Sequence, residues 1–125
     1  MRTLRWSMGR MDVIEVRSVE EWRSWLATHC ASVSEVWLVI PHKGLPGVRY
    51  QEAVEQALCF GWIDGLHRKH DAGHSRLRFT PRRARSSWSA SNRERAERLI
   101  GQGLMTDRGQ AAIDAAKASG RWAVS

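Results

Sequence analysis

The first half of the chain alternates between apolar runs and helical patterns. Residues 12–17 are rich in Val and Ile and predict a short strand. Residues 18–21 begin with Ser and end with Glu, the spacing of a capping box. Apolar residues then recur every three or four positions, which predicts a helix. The continuous apolar run 36–40 is stopped by Pro41 and predicts a buried central strand.

The next segment predicts a helix followed by two strands. The helix begins at Tyr50 and is closed by Gly61. Strands are predicted at 62–66 and 76–80, and the polar residues 67–75 between them predict a solvated loop. Alternation in the second strand puts its apolar residues on one face and its arginines on the other.

Two further helices are predicted towards the C-terminus. The first is capped by Ser89 or by a second capping box at 91–94. The residues of its predicted inward face are Ala96, Leu99 and Ile100. The second begins at Thr106 or Asp107. It carries a stripe of small residues, Ala111, Ala112, Ala115 and Ala116.

Together these elements predict one small α+β domain. It is expected over residues 12–122, after a flexible leader at 1–11 and before a tail at 123–125. Its short sheet is expected to be mixed or antiparallel and covered by about four helices. No apolar run is long enough to span a bilayer, and the N-terminal residues lack the apolar stretch of a secretory signal. We therefore expect a cytoplasmic protein without membrane insertion.

Basic residues are concentrated in one segment. The chain has 20 Lys and Arg against 13 Asp and Glu, a formal net charge of +7. Ten of the basic residues and three of the acidic ones lie between His67 and Arg98, so the rest of the chain is close to neutral. This pattern indicates either a site for an anionic partner or a solvated, arginine-rich surface.

Histidine, cysteine and the known catalytic motifs add little chemistry. His67, His70 and His74 would align as zinc ligands on a helix, but they fall in the predicted loop, so no metal site is predicted. Cys30 and Cys59 are expected to be buried free thiols. We find no nucleophile elbow, phosphate-binding loop, dinucleotide glycine pattern or zincin motif, and we predict no cofactor and no catalytic residue.

The residues with the most chemistry fall in the stretches 57–65, 78–83 and 86–92. These bring a carboxylate at a strand end together with an arginine-bearing strand and a hydroxyl-rich helix start. Guanidinium groups, hydroxyls and the free N–H groups of a helix start can form an anion-binding pocket. The predicted ligand-binding residues are Glu55, Asp64, Arg78, Thr80, Arg82, Arg83, Ser86, Trp88 and Asn92.

Most of these residues also have a purely structural interpretation. Asp64 is expected to form an ion pair with Arg78 rather than to act as an acid or base. The arginines within 82–85 either bind phosphate groups or form a solvated edge. Trp62 is expected in the core, whereas Trp88 is available to stack on a base or a sugar.

The same stretches resemble the YdeI/OmpD-associated family, whose members are also called bacteriocin-protection proteins. The resemblance rests on YQEAVEQALCFGWIDG at 50–65 and RFTPRR at 78–83. Shorter matches lie at 36–39, 86–89, 103–106 and 116–122. It implies an α+β fold loosely similar to YjbR and frataxin. It also implies an association with resistance to bacteriocins and cationic antimicrobial peptides, and with an outer-membrane porin. Typical members continue into a further helical segment, which this short form is expected to lack.

Three functional hypotheses follow. The first is a non-enzymatic stress or envelope-resistance protein with an arginine-rich pocket for a phosphorylated or carboxylated small molecule, or for an acidic protein. The second is a nucleic-acid-binding module that uses the same arginines with Trp88. The third is a small enzyme that uses Glu55 or Asp64. The alanine stripe or Trp122 is a candidate homodimer surface.

Overall fold

The computed structural model describes residues 13–122. In it, a mixed sheet and a layer of helices form the fold. In these residues the elements are β1 (Val13–Ile14), α1 (Val19–His29), β2 (Val36–Pro41), α2 (Tyr50–Cys59), β3 (Trp62–Asp71), β4 (His74–Pro81), α3 (Ala90–Gly101) and α4 (Asp107–Ala118). The strand order is β1-β2-β4-β3, with β1 parallel to β2 and the other pairs antiparallel. The predicted α+β class with a mixed sheet is confirmed.

The two faces of the sheet differ in what they contact. Leu77 and Phe79 of β4 join the hydrophobic core beneath the helices, and we call this side the core face. Arg76 and Arg78 alternate with them and lie on the opposite side, the outer face. On the outer face of β2, Trp37 is buried beneath the Arg76 guanidinium, whose carbon lies 5.4 Å from the ring centroid. The predicted alternation along β4 is therefore confirmed.

The polar segment 67–75 forms strands, and the predicted loop is wrong. β3 continues to Asp71 and β4 starts at His74, which leaves a tight turn between them. The turn is fixed by Asp71, whose Oδ1 accepts a hydrogen bond from the Gly73 N–H at 2.9 Å. The hydrogen-bonded ladder between β2 and β4 reaches His74 and holds the start of β4 in place. Polar side chains in this segment mark an exposed sheet edge rather than a loop.

Two smaller expectations also change. The first strand is limited to Val13–Ile14, and residue 12 lies outside the described residues, as do the predicted leader and tail. In α3, Ala96 and Leu99 are buried as predicted, but Ile100 is 41% exposed. Successive residues of a helix point about 100° apart, so the residue after Leu99 leaves the narrow inward stripe of this helix.

The start of α4 packs against the end of α2. The Thr106 backbone N–H and hydroxyl both donate to the Cys59 carbonyl oxygen, at 3.2 and 2.5 Å. The Thr106 hydroxyl also caps α4 by accepting the Gly109 N–H. The backbones come so close here that a Cβ on Gly109 would collide with the Cys59 carbonyl. This contact places the first turn of α4 beside the turn that enters β3.

Candidate anion-binding site

Arg82 is the residue around which the site is built. It follows Pro81 at the end of β4, and its backbone N–H donates to the Gly61 carbonyl at 2.8 Å. Its guanidinium carbon lies 3.9 Å from the centroid of the Trp88 ring, a close cation–π contact. All three side-chain nitrogens are shielded from solvent, and none has a hydrogen-bond partner in the described part of the chain.

The Arg82 guanidinium is a buried charge that forms no ion pair with any residue of 13–122. Burial lowers its pKa to about 10, partly offset by the negative charge of Asp64. The group is therefore still protonated at neutral pH. Burying a charge without a directly bonded counter-ion lowers the free energy of unfolding by roughly several kcal/mol, even after the surroundings relax. The charge is retained at that cost, with no hydrogen-bond partner for the guanidinium in the described residues.

A cavity of about 250 Å³ adjoins this arginine. Its wall comes from the α2–β3 turn, the end of β4 and one face of α4. The lining residues are Phe60, Gly61, Trp62, Pro81, Arg82, Arg108, Ala111 and Ala112. Most of the wall is apolar, and the two charged residues on it are both arginines. An anionic group with a small apolar body fits this wall in charge and polarity.

Glycine and alanine give the cavity its shape. Gly61 has a φ of +77°, and a Cβ there would lie 3.2 Å from the Arg108 carbonyl oxygen. Glycine is the residue that accepts this conformation without steric cost. Ala111 and Ala112 follow Arg108 by three and four residues, so all three lie on one face of α4. The small alanine side chains leave the space that a larger side chain would fill.

Asp64 does not form the predicted ion pair with Arg78. Its Oδ2 instead accepts a hydrogen bond from the Tyr50 hydroxyl at 3.1 Å. Arg78 points to the outer face, where its Nε donates to Glu35 at 2.6 Å. The expectation fails because the strand register pairs Asp64 with Phe79 and so places its side chain on the core face.

Several other predicted site residues lie away from the cavity. Glu55 forms an ion pair with Arg98 at 2.6 Å, and Asn92 accepts a hydrogen bond from Arg95. Thr80 pairs with Ile63 across the outer face of the sheet. The two remaining residues are Arg83, which is exposed, and Ser86, whose N–H donates to the Arg83 carbonyl. These contacts separate the nine predicted residues, and Arg82 alone of the nine lines the cavity.

Trp88 has a different role from the predicted one. It is 2% exposed, so its ring is not available to stack on a base or a sugar. One face of the ring carries the Arg82 guanidinium, and Trp122 packs beside it with a centroid distance of 5.0 Å. Trp88 therefore packs against the guanidinium of Arg82, a residue that lines the cavity. The predicted burial of Trp62 in the core is confirmed, with 1% of it exposed.

Sequence reasoning missed the contribution of α4. Arg108 was not among the predicted site residues, although it stands three residues before the first member of the alanine stripe. A basic residue on the small-residue face of a helix was the available signal. That the face lines a cavity follows only from the packing of α4 against the α2–β3 turn.

Metal binding and membrane crossing are two further possibilities for the described residues. No group of three or more His, Cys, Asp or Glu side chains is placed to hold a metal ion. None of the helices within residues 13–122 combines the length and apolar character required to cross a bilayer.

The fold and the site define a small α+β domain with a buried arginine beside a partly apolar cavity. Residues 14–112 match the sequence profile of a family described as "Domain of unknown function (DUF8412)". The match covers most of the chain, and the chain belongs to this family. Searches of curated proteins and of solved structures found no match.

Proposed function

We propose that this domain binds a small anionic molecule in the cavity beside Arg82. The observation that carries the proposal is that Arg82 lines the cavity and that its buried guanidinium has no hydrogen-bond partner in the described residues. An anion beside this charge would compensate part of its burial cost, because opposite charges attract strongly in a region of low dielectric constant. Arg108 would supply a second cationic contact from α4.

The size of the cavity supports a narrow class of ligands. Pockets for drug-sized ligands occupy roughly 300–1,000 Å³, and the cavity measures about 250 Å³. A small phosphorylated or carboxylated metabolite is therefore a better candidate than a whole nucleotide. Five of the eight lining residues are apolar side chains, namely Phe60, Trp62, Pro81, Ala111 and Ala112. They favour a ligand with a short apolar portion.

The biological part of the proposal is a non-enzymatic role in the cytoplasm, in the response to stress or envelope damage. The resemblance to the YdeI/OmpD-associated family supports it through that family's association with bacteriocin resistance. The contacts of the two carboxylates also favour binding over catalysis. Glu55 is held by Arg98 and Asp64 by Tyr50, outside the residues that line the cavity.

A thermal-shift panel tests the proposal. The probes are inorganic phosphate, glycerol phosphate, acetate and succinate, each at two chloride concentrations. A ligand that binds only the folded state raises stability by RT ln(1 + [L]/Kd), so weak binding is visible at high ligand concentration. We expect at least one probe to raise the melting temperature of the wild type and to have no effect on Arg82→Met.

The matched control is Arg83→Met, which removes a neighbouring but exposed guanidinium. We expect this variant to keep the wild-type shift. Equal loss in both variants would mean that the probes respond to general positive charge, and the proposal would be wrong. It would also be wrong if Arg82→Met kept the full shift, or if no probe affected the wild type.

A further inference from the structure

A second basic region lies on the β3–β4 hairpin, away from the cavity. Every residue from 65 to 72 is exposed, and this stretch includes Arg68, Lys69 and His70. We call Arg68, Lys69, His70 and Arg76 the hairpin patch. Successive residues of a strand point to opposite faces, so the patch presents cations on both sides of the sheet edge. No residue of the patch lines the Arg82 cavity.

Two arginines of the patch face each other directly. Arg68 on β3 is the register partner of Arg76 on β4. Like charges directly opposite each other on one face of a sheet are destabilising. Neither arginine has an ion pair in residues 13–122, whereas Arg78, two residues along the same strand, is neutralised by Glu35. The fold therefore maintains an uncompensated pair of guanidinium groups on the outer face.

Edge protection does not account for this pair. Positive side chains on an edge strand prevent pairing with another sheet, which explains charges on β3. Arg76 lies on β4, an interior strand with a partner on each side, so its charge does not protect a sheet edge. Its guanidinium lies over the Trp37 ring, and its Nε is buried without a hydrogen-bond partner in the described chain. The Trp37 ring therefore positions the Arg76 guanidinium before any ligand binds.

We propose that the hairpin patch binds the phosphate backbone of a nucleic acid. A phosphate group between Arg68 and Arg76 would relieve their mutual repulsion, and guanidinium groups bind phosphate oxygens with two hydrogen bonds. Lys69 extends the positive charge towards the turn, as contact with a continuous polyanion requires.

A nucleic acid fits the patch better than an acidic protein or a membrane does. The cores of protein interfaces are enriched in aromatic residues, and amphipathic segments that lie in a membrane surface use an apolar face. Leu66 is the one large apolar residue exposed on the described hairpin. A charged surface with so little apolar area is typical of sequence-independent contact with a sugar-phosphate backbone.

Fluorescence anisotropy with labelled 20-nucleotide single-stranded DNA, RNA and duplex DNA tests this proposal, over a series of KCl concentrations. The test variant is Arg68→Gln/Arg76→Gln. The control is Arg83→Gln/Arg85→Gln, which removes the same charge from the exposed segment after β4. Thermal melts of each variant establish that the fold is intact.

We expect the test variant to bind at least about tenfold more weakly at low salt. Because the two arginines share one phosphate, the log–log salt slope should be smaller by about 0.7 for single strands. The control should lose much less. Equal losses in the two variants would overturn the proposal, because they would indicate attraction to overall charge. Tighter binding to anionic vesicles or to a poly-glutamate peptide than to any oligonucleotide would also overturn it. Failure to bind any oligonucleotide would have the same meaning, whatever the result for the Arg82 cavity.

Discussion

The Arg82–Trp88 contact explains how a single residue can be costly for folding and useful for binding. The Trp88 ring holds the guanidinium from one side at 3.9 Å, and the α2–β3 turn fixes the backbone of Arg82 through Gly61. A desolvated cation–π contact stabilises the folded state by about 2 kcal/mol, which is less than the cost of burying an unpaired charge. A bound anion would reduce the part of the burial cost that the cation–π contact does not offset.

Tyr50 holds the Asp64 carboxylate, whose negative charge also acts on Arg82. The Tyr50 hydroxyl donates to the Asp64 carboxylate, and burial together with the charge of Asp64 raises the pKa of Tyr50, so the hydroxyl remains a donor at neutral pH. Tyr50→Phe removes this restraint and leaves Asp64 free to turn towards Arg82. We expect anion affinity, measured by titration calorimetry, to fall about three- to tenfold, in line with the net contribution of one ordinary hydrogen bond.

The double variant Tyr50→Phe/Asp64→Asn is the control for that prediction. Once Asp64 is neutral it no longer competes as a counter-ion, and losing the Tyr50 hydroxyl should then leave affinity unchanged relative to Asp64→Asn. If Tyr50→Phe weakens binding equally in both backgrounds, its effect is on packing and Tyr50 does not restrain the carboxylate.

At the scale of elements, the close contact between the end of α2 and the start of α4 shapes the cavity. This contact, the α2–α4 joint, also limits which substitutions the chain tolerates. Gly109→Ala would place a Cβ against the Cys59 carbonyl and about 2.5 Å from the Met105 sulfur. Because backbone atoms cannot yield as a side-chain end can, we expect a loss of at least about 2 kcal/mol in urea unfolding. The matched control is Gly101→Ala, where the added methyl has open space. A loss below about 0.5 kcal/mol for Gly109→Ala would contradict the close packing described for this joint.

Helix starts were predictable from the sequence because their chemistry is local. Ser18, Ser89 and Thr106 each cap a helix through a hydrogen bond to a backbone N–H three residues on. The extension of both hairpin strands into residues 67–75 was not predictable, since polarity along the chain reports exposure rather than hydrogen bonding. β2 fixes that segment as strand, and its pairing with β4 is a non-local contact.

The site was predictable in part for the same reason. The sequence marked Arg82 and its neighbours as a basic cluster, but it could not assign their partners. Arg78 pairs with Glu35, and Arg98 with Glu55, each across a separation of 43 residues. Only the strand register and the packing of α2 against α3 decide which cations are neutralised and which remain available.

At the scale of the whole molecule, stability should decline in acid through carboxylates whose pKa is lowered by folding. The hydrogen bond from the Arg78 guanidinium lowers the pKa of Glu35 below its ordinary 4.5, despite the opposing effect of burial. Between the folded and unfolded pKa the unfolded chain binds more protons, so this contribution is present above pH 4.5 and is lost as the pH falls through the folded value.

Glu35→Gln should therefore flatten the dependence of unfolding free energy on pH in the acid range. At pH 7 we expect it to cost less than about 1 kcal/mol, because the ion pair is partly exposed to solvent. Glu97→Gln is the control, since Glu97 is exposed and has no ion pair in the described chain. An unchanged acid slope in Glu35→Gln would show that the Glu35–Arg78 pair does not contribute to acid sensitivity.

The most direct test of the central claim is the urea-unfolding free energy of wild type and Arg82→Met, each with and without phosphate or succinate. Replacing a buried ion pair by apolar side chains of similar size is often neutral or stabilising by about 1–4 kcal/mol, and a buried charge without an ion pair has even less attraction to lose. We therefore predict that Arg82→Met is at least as stable as the wild type without anion, and that the anion stabilises the wild type alone. A variant less stable than wild type, together with a wild type indifferent to both anions, would mean that Arg82 is a structural residue and that the cavity is not an anion site.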